Sequence, residues 1–349
     1  MIYDSTLWIN DIDEVLKVVP EIDSLIGKTV LVTGGTGLVC SPLVDLLIRY
    51  NETHENSIHI VVAGRSKERF KLRFKPFIHR KYLSFSEYNA TTGENNFDGT
   101  FDYLIHGASN SSPDLIQCQP VETLLDNIIG LKALFDYAKK TNSKRVLYIS
   151  SSEIYGQNDN VLPYKENEYG YIDFLNPRSS YSIAKCASEH LCISYGKEYK
   201  IDSVIVRPGH IFGPSASFKD NHIASLWCRE AIQGNSIVMK SSGKSIRSYC
   251  YCLDCAAAII KVLIKGHSFN AYNISDNKSI TDIKRMANII SSLANVPLIT
   301  NSPTADEKDA YNPMINSSLD GAKIQSLGWH AVFDIVKGLD HTLQIMRKI

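Results

Sequence analysis

Apolar residues cluster in short runs that alternate with longer stretches of helical period. The first such run is "KTVLVTGGTGL", and "SIHIVVAG", "FDYLIHGAS", "KRVLYISSS" and "DSVIVRPGHIFGP" follow as further strands. Between them, "SPLVDLLIRY", "LLDNIIGLKALFDYAKK" and "SSYSIAKCASEHLCISYGKEY" carry apolar positions three and four apart, as amphipathic helices do. Strands alternating with helices predict an α/β fold, a Rossmann-type doubly wound parallel sheet covered on both faces. Ligands then bind beyond the carboxyl ends of the strands. From Pro208 onward the pattern loosens. It predicts a smaller C-terminal α/β substrate-binding part over 208–349, interleaved with a dinucleotide-binding domain over 28–207. Residues 1–27 read as an N-terminal extension, with a short amphipathic helix at "DIDEVLKVV" before Pro20, packed on the cofactor domain or on a dimer partner.

The bulk numbers narrow the class. The chain has 349 residues, 44% hydrophobic and 21% charged, with a formal net charge of zero. That balance, with no long basic block, gives no reason to expect nucleic acid or an anionic membrane as a partner. The start has no cationic segment before an apolar core, and no apolar run approaches the roughly 20 residues of a membrane helix. "AAAIIKVLI" is too short and contains Lys261. Eight scattered cysteines fit a reducing cytoplasm better than a disulfide framework. "CYCLDC" (Cys250, Cys252, Cys255) has no nearby histidine and matches no common zinc spacing, so it reads as a strand-to-helix junction and no metal is expected.

Candidate chemistry appears at four places. "TGGTGLVC" lies between a strand and a helix, where Gly34, Gly35 and Gly37 permit a tight turn and close approach of backbone N–H groups to a pyrophosphate. Position 40, where a third glycine would let the helix pack closely, holds Cys40, which should push the helix slightly outward. The second strand ends in Gly64–Arg65, with no carboxylate for the adenosine ribose. A missing acid beside a cation favours NADP over NAD, unless Arg65 only stacks on the adenine. Tyr181 and Lys185 lie four apart on one helix face. An ammonium beside the phenol favours the phenolate, and a three-unit fall in pKa needs about 4 kcal/mol. The turn "ISSSEIYG" offers Ser151, Ser152 and Glu153 as a hydroxyl and a base at the lip of the site, or else a polar turn in which Glu153 caps or pairs with a lysine.

With these landmarks in order, and with "DNIIGLKAL", "RPGHIFGP", "GKSIRSYCYCLD" and "SSLDGAKIQSLGW" after them, the chain resembles the extended short-chain dehydrogenase/reductases of the nucleotide-sugar epimerase/dehydratase family. The resemblance implies a nucleotide-diphosphate sugar as substrate and a bound nicotinamide cofactor. It implies Tyr181 as the base that takes the 4-hydroxyl proton and Lys185 as the group that binds the nicotinamide ribose. Ser151 would bond the sugar's 4-oxygen and Asn127 would support the helix beside the cofactor. It further implies a cofactor cradle of Gly34, Gly35, Thr36, Gly37, Leu38 and Val39, with Arg65, Ser66, Ala108 and Pro208 also near the dinucleotide. Arg247 would meet the substrate diphosphate, unless it pairs with a surface carboxylate. Ser152 and His210 would lie near the sugar nucleotide, His210 alternatively as a satisfied structural histidine. Relatives with a Ser–Glu pair at 152–153 include nucleotide-sugar dehydratases and uronic-acid decarboxylases, in which C4 oxidation is followed by 4,6-dehydration or C5 decarboxylation. 4-Epimerisation, 4-ketoreduction and a non-catalytic nucleotide-binding scaffold remain as alternatives. Relatives are often homodimers built on two helices of each subunit.

Overall fold

The computed structural model describes residues 1–54, 57–109, 111–158, 163–304, 312 and 314–349. Helix α1 (Thr6–Leu16) precedes strand β1 (Thr29–Thr33), α2 (Cys40–Thr53), β2 (His59–Gly64), α3 (Lys67–Arg73), β3 (Leu83–Glu87) and β4 (Tyr103–His106). Then come α4 (Pro113–Cys118), α5 (Pro120–Thr141), β5 (Arg145–Ile149), α6 (Ser180–Tyr199), β6 (Ser203–Pro208) and β7 (His210–Phe212). The C-terminal part adds α7 (Ile223–Ile232), β8 (Ile237–Met239), β9 (Ile246–Tyr251), α8 (Cys252–Lys265), β10 (Ala271–Ile274), β11 (Ile280–Asp282), α9 (Ile283–Ala294), β12 (Leu298–Thr300), β13 (Asn316–Ser317), α10 (Ala322–Gln325) and α11 (Ile335–Met346).

Seven strands form one parallel sheet in the order β10-β6-β5-β4-β1-β2-β3. Its central strands are buried on both faces, which is why they read as continuous apolar runs. The strand order reverses between β1 and β4, so a crevice opens at their carboxyl ends. Thr33, the last residue of β1, pins that junction. Its Oγ1 accepts from the backbone N–H groups of Gly107 and Ala108, both at 3.2 Å, and lies 2.9 Å from His106 Nδ1.

The predicted last strand of the first half is two. β6 ends at Pro208, and β7 leaves the large sheet to pair with β9 of a smaller sheet that also holds β11 and β13. Gly209 stands at the step, where an added Cβ would meet Ser248 of β9. The "CYCLDC" segment is the junction of β9 and α8, and its three cysteines are buried. Lys261 of α8 pairs with Glu21 at 2.7 Å.

The N-terminal segment is part of the packed body. α1 starts at Thr6 rather than near Asp11 because Ser5 caps it, its Oγ accepting from Trp8 N–H. Trp8 is fully buried, and α1 packs on α2, α8 and α11. Asp11 holds the far end of the chain. One of its carboxylate oxygens accepts from Tyr251 Oη at 2.9 Å and the other lies 2.8 Å from His341 Nδ1.

Candidate active site

A cleft of 490 Å³ opens at the carboxyl ends of β1, β4, β5 and β6. Gly34 begins its floor with φ at +67°, a left-handed conformation that glycine adopts without strain. A Cβ there would also stand 2.8 Å from Gly107 O and 2.9 Å from Ala108 N. Gly34, Thr36, Gly37, Leu38, Val39 and Cys40 line the cleft up to the first turn of α2. Gly35 packs beneath, where a Cβ would press on Val62 at 2.9 Å. Cys40 is 2% exposed, and Gly107 makes its room: a Cβ at Gly107 would collide with the Cys40 sulfur. The expected outward push on the helix is thus met by the glycine that follows the neighbouring strand β4. A turn of this shape, open to a cleft and filled by any side chain larger than hydrogen, fits the pyrophosphate of a dinucleotide.

At the adenosine end the structure differs in detail from the sequence reading. Arg65 is exposed and Ser66 caps α3, its Oγ accepting from Arg69 N–H at 3.2 Å. It is Arg69, one helical turn on, that reaches the cleft wall. Pro208 lines the cleft, whereas Ala108 sits behind Gly107 and Ser109. Asn127 is fully buried on α5. Its Nδ2 donates to Thr123 O and its backbone carbonyl accepts from Ser188 of α6. That places it in the helix–helix contact, away from the cleft wall.

Tyr181 and Lys185 share the buried face of α6 and both line the cleft. The helix is placed by Asn176 and Pro177, which start a short 3-10 turn running into Ser180. Lys185 Nζ donates to the carbonyl of Ile149, the last residue of β5, at 2.8 Å. It lies 4.9 Å from the Tyr148 ring centre and 5.6 Å from that of Tyr181. Burial pushes Lys185 down to about 7, against the nearby charge of Glu189. Tyr181 is 7% exposed, and burial followed by the charge of Glu153 raises its phenol. A hydrogen bond with Ser151 and the charge of Arg178 act the other way.

The turn after β5 brings Ser150, Ser151, Ser152 and Glu153 to the same wall. Ser151 has extended backbone, and its Oγ accepts from Glu153 N–H at 3.2 Å. The carboxylate of Glu153 is held by a residue the sequence reading passed over. Arg178 Nη1 and Nη2 donate to its two oxygens, each at 3.1 Å, and Ser182 Oγ donates to Oε2 at 3.3 Å. The signal was present: Arg178 stands three residues before Tyr181, the spacing that puts two side chains on one side of a turn.

Arg247 is 4% exposed and does not reach the cleft wall. Its Nη1 donates to the carbonyls of Ile246 and Ile315 at 2.8 and 3.2 Å, and burial lowers its pKa. Tyr249 and His210 stand on the wall instead. His210 is pushed down to about 3, first by burial and then by the charges of Arg247 and His222, and its Nδ1 has no partner among the described residues. A second missed residue is His222, just before α7. Its Nδ1 lies 2.6 Å from Asp220 Oδ1 and its Nε2 lies 3.1 Å from Ser111 O. Both ring nitrogens therefore face acceptors, the arrangement of an imidazolium. Burial opposes that charge, but Asp220 outweighs it and the pKa is raised.

The model of the NAD dependent epimerase/dehydratase family matches residues 30–275. The chain belongs to that family. Among its curated relatives, UDP-glucuronic acid decarboxylase 1 of Xenopus tropicalis is 26% identical over 332 residues, covering 92% of this chain and 72% of the relative. The dTDP-D-glucose 4,6-dehydratase of Dictyostelium discoideum is 28% identical over 289 residues, covering 76% and 63%. Among solved structures, the UDP-glucose 4-epimerase of Thermotoga maritima with UDP-glucose superposes with a TM-score of 0.77 at 21% identity, covering 92% of this chain and 99% of that one. DesIV of Streptomyces venezuelae, a dTDP-glucose 4,6-dehydratase solved with NAD, also reaches 0.77 at 20% identity, covering 92% and 97%. The family depends on a nicotinamide cofactor, and its members are nucleotide-sugar enzymes.

Proposed function

We propose that this protein is a nucleotide-diphosphate-sugar lyase that oxidises C4 of a uronic acid and releases the C5 carboxylate as carbon dioxide. The observation that carries the first half is the convergence of Ser151, Tyr181 and Lys185 on one cleft wall beside the glycine turn. Tyr181 takes the 4-hydroxyl proton as the hydride leaves C4, and Ser151 bonds the same oxygen. Lys185, anchored on Ile149, would hold the nicotinamide ribose. A nicotinamide held at this wall would supply the hydride acceptor for C4.

A 4-ketone makes the uronate a β-keto acid, whose C5–C6 bond breaks with the electron pair delocalised onto the ketone oxygen. One proton then adds at C5, and the net reaction consumes one proton and leaves the cofactor in its starting state. This step needs no base at C5. The arrangement of Glu153 supports it: both its oxygens are occupied by Arg178 and one also by Ser182. Ser152, the neighbouring wall residue, is no acid at neutral pH. A second reading, 4,6-dehydration of a hexose, is supported by the placement of Glu153 on the cleft wall, from which a carboxylate freed of its partners would reach a C5 proton. The decarboxylase relatives favour the first reading, with a uridine nucleotide as substrate.

For the cofactor we favour NADP. β2 ends without a carboxylate, and Arg69 lines the cleft at the end where a 2′-phosphate would lie, with Arg65 close by in sequence. The remaining sites follow as proposals: His210 and Tyr249 beside the sugar nucleotide, and Arg247 as the support beneath them. The α5–α6 pair exposes Val121, Leu125, Ile193 and Tyr199, which suits a homodimer built on those helices. All eight cysteines are free, in keeping with a reducing cytoplasm. No described helix is long and apolar enough to cross a membrane.

The test is product mass. The purified protein is incubated with UDP-glucuronic acid, and separately with UDP-glucose and dTDP-glucose, with NAD or NADP. Loss of carbon dioxide from the uronate supports the proposal. Loss of water from a hexose, with the uronate untouched, replaces it by the second reading.

A further inference from the structure

The site has to hold two anions side by side: the carboxylate of Glu153 on the cleft wall and the phenolate that Tyr181 must form before it can take a proton as a base. Two like charges at close range in a buried site oppose one another's formation. We propose that Arg178 is a positioning residue whose fork on Glu153 cancels that opposition, so that Tyr181 can ionise beside the carboxylate. This rests on the reading of Tyr181 as the base.

Four observations carry it. Arg178 contacts Glu153 through two parallel N–H···O bonds of 3.1 Å, the geometry that fixes orientation as well as charge. Its side chain is 10% exposed and that of Glu153 17%, so solvent screens the pair only weakly. It stands outside the cleft wall, behind Glu153, and three residues before Tyr181. Its backbone is fixed by Asn176, whose Oδ1 accepts from Arg178 N–H at 2.9 Å, and by Pro177. The pair is also poor as a stabilising device. Arg178 Nε is buried and has no partner among the described residues, and a buried ion pair with an unmet donor gives little net stability.

The surroundings agree. Tyr181 is faced by Ser151 and Glu153 from the turn after β5, by Tyr148 from β5, by Arg178 from the preceding turn and by Lys185 from its own helix. Glu153 is faced in addition by His222 and Arg247. Of these, Glu153 raises the Tyr181 phenol while Arg178 lowers it. Burial pushes Lys185, the cation at the expected spacing, down to about 7.

The experiment follows reduction of the bound cofactor in a single turnover, by absorbance, against pH. UDP-glucuronic acid and UDP-glucose serve as probes, since C4 oxidation is common to both. Arg178→Gln should move the rising limb to higher pH by about one unit, which at fixed pH is about a tenfold slower step. Glu153→Gln should move it the opposite way, and Glu153→Gln/Arg178→Gln should return it close to wild type. Arg178→Lys should recover part of the shift. A purely structural role predicts equal loss at every pH, with no opposite effect of the Glu153 change. The double variant guards against misfolding, since it removes both charges and leaves no unpaired one. An unshifted limb in folded Arg178→Gln overturns this inference alone. A Tyr181→Phe variant that still reduces the cofactor, or a wild-type protein that neither probe reduces, overturns the parent reading and this one with it.

Discussion

Lys185 Nζ donates to the carbonyl of Ile149 at 2.8 Å, tying the helix that carries Tyr181 to the last residue of the strand that leads into Ser151. The bond joins the two elements that carry the proposed catalytic groups, and it is made by a buried lysine whose one hydrogen-bond partner among the described residues is that carbonyl.

That burial predicts a stability effect with a definite sign. The Lys185 value lies near 7 in the folded protein and at 10.5 in an unfolded chain. The folded state therefore binds fewer protons, and the penalty is full below about pH 7. It fades as pH rises toward 10.5. Lys185→Met should raise the melting temperature of the cofactor-free protein at pH 6 more than at pH 9, while hydride transfer falls by roughly 10²-fold or more. Equal melting shifts at both pH values would contradict the burial argument.

Tyr181→Phe keeps the ring and removes the proton acceptor. Cofactor reduction should slow by roughly 10²- to 10⁴-fold with little change in sugar-nucleotide affinity. Ser151→Ala should slow the same step less, since it removes one hydrogen bond. Stopped-flow absorbance separates the step from binding.

The cradle makes a prediction of another kind. Gly34→Ala forces a side chain into a left-handed conformation and against the backbone of Gly107. Cofactor retention through gel filtration should be lost or greatly reduced, with a stability loss of about 1 kcal/mol or more. Cys40→Ala, by contrast, only vacates space and should retain the cofactor.

Arg69→Ala reads the cofactor preference. If the cation on the cleft wall meets a 2′-phosphate, NADP affinity should fall at least tenfold while NAD affinity stays within a factor of about two. Calorimetric titration with the two dinucleotides measures both. Equal losses would assign Arg69 to the adenine or ribose common to both.

His222 and Asp220 form a charged pair whose imidazolium is held by Ser111 at the mouth of the cleft. Its raised value means that the contribution is full below about 6.5 and is lost as pH rises through the folded value. The ring should titrate above 6.5 by NMR, and Asp220→Asn should bring it down.

The sheet and its helices were legible because buried parallel strands read as apolar runs and the helices between them keep one face apolar. The Tyr181–Lys185 spacing and the glycine turn were legible for the same local reason: four residues on a helix, or three glycines after a strand, fix their own geometry. What could not be read was contact across the fold. The role of Arg178 depends on the approach of the turn after β5 to the segment before α6, and Arg69 replaces Arg65 on the cleft wall because Ser66 starts a helix between them. Arg247 sits at an expected position, yet its guanidinium turns to two backbone carbonyls. Asp11 gave no sign in the sequence that it joins the first helix to the last.

The most direct measurement is the fate of UDP-glucuronic acid carrying a ¹³C label at C6, incubated with wild-type protein and with Tyr181→Phe. The account predicts labelled carbon dioxide and a nucleotide pentose from the wild type, none from the variant, and a cofactor that ends in its starting oxidation state. Label retained in a nucleotide sugar that is merely inverted at C4, or release that persists in Tyr181→Phe, would contradict it.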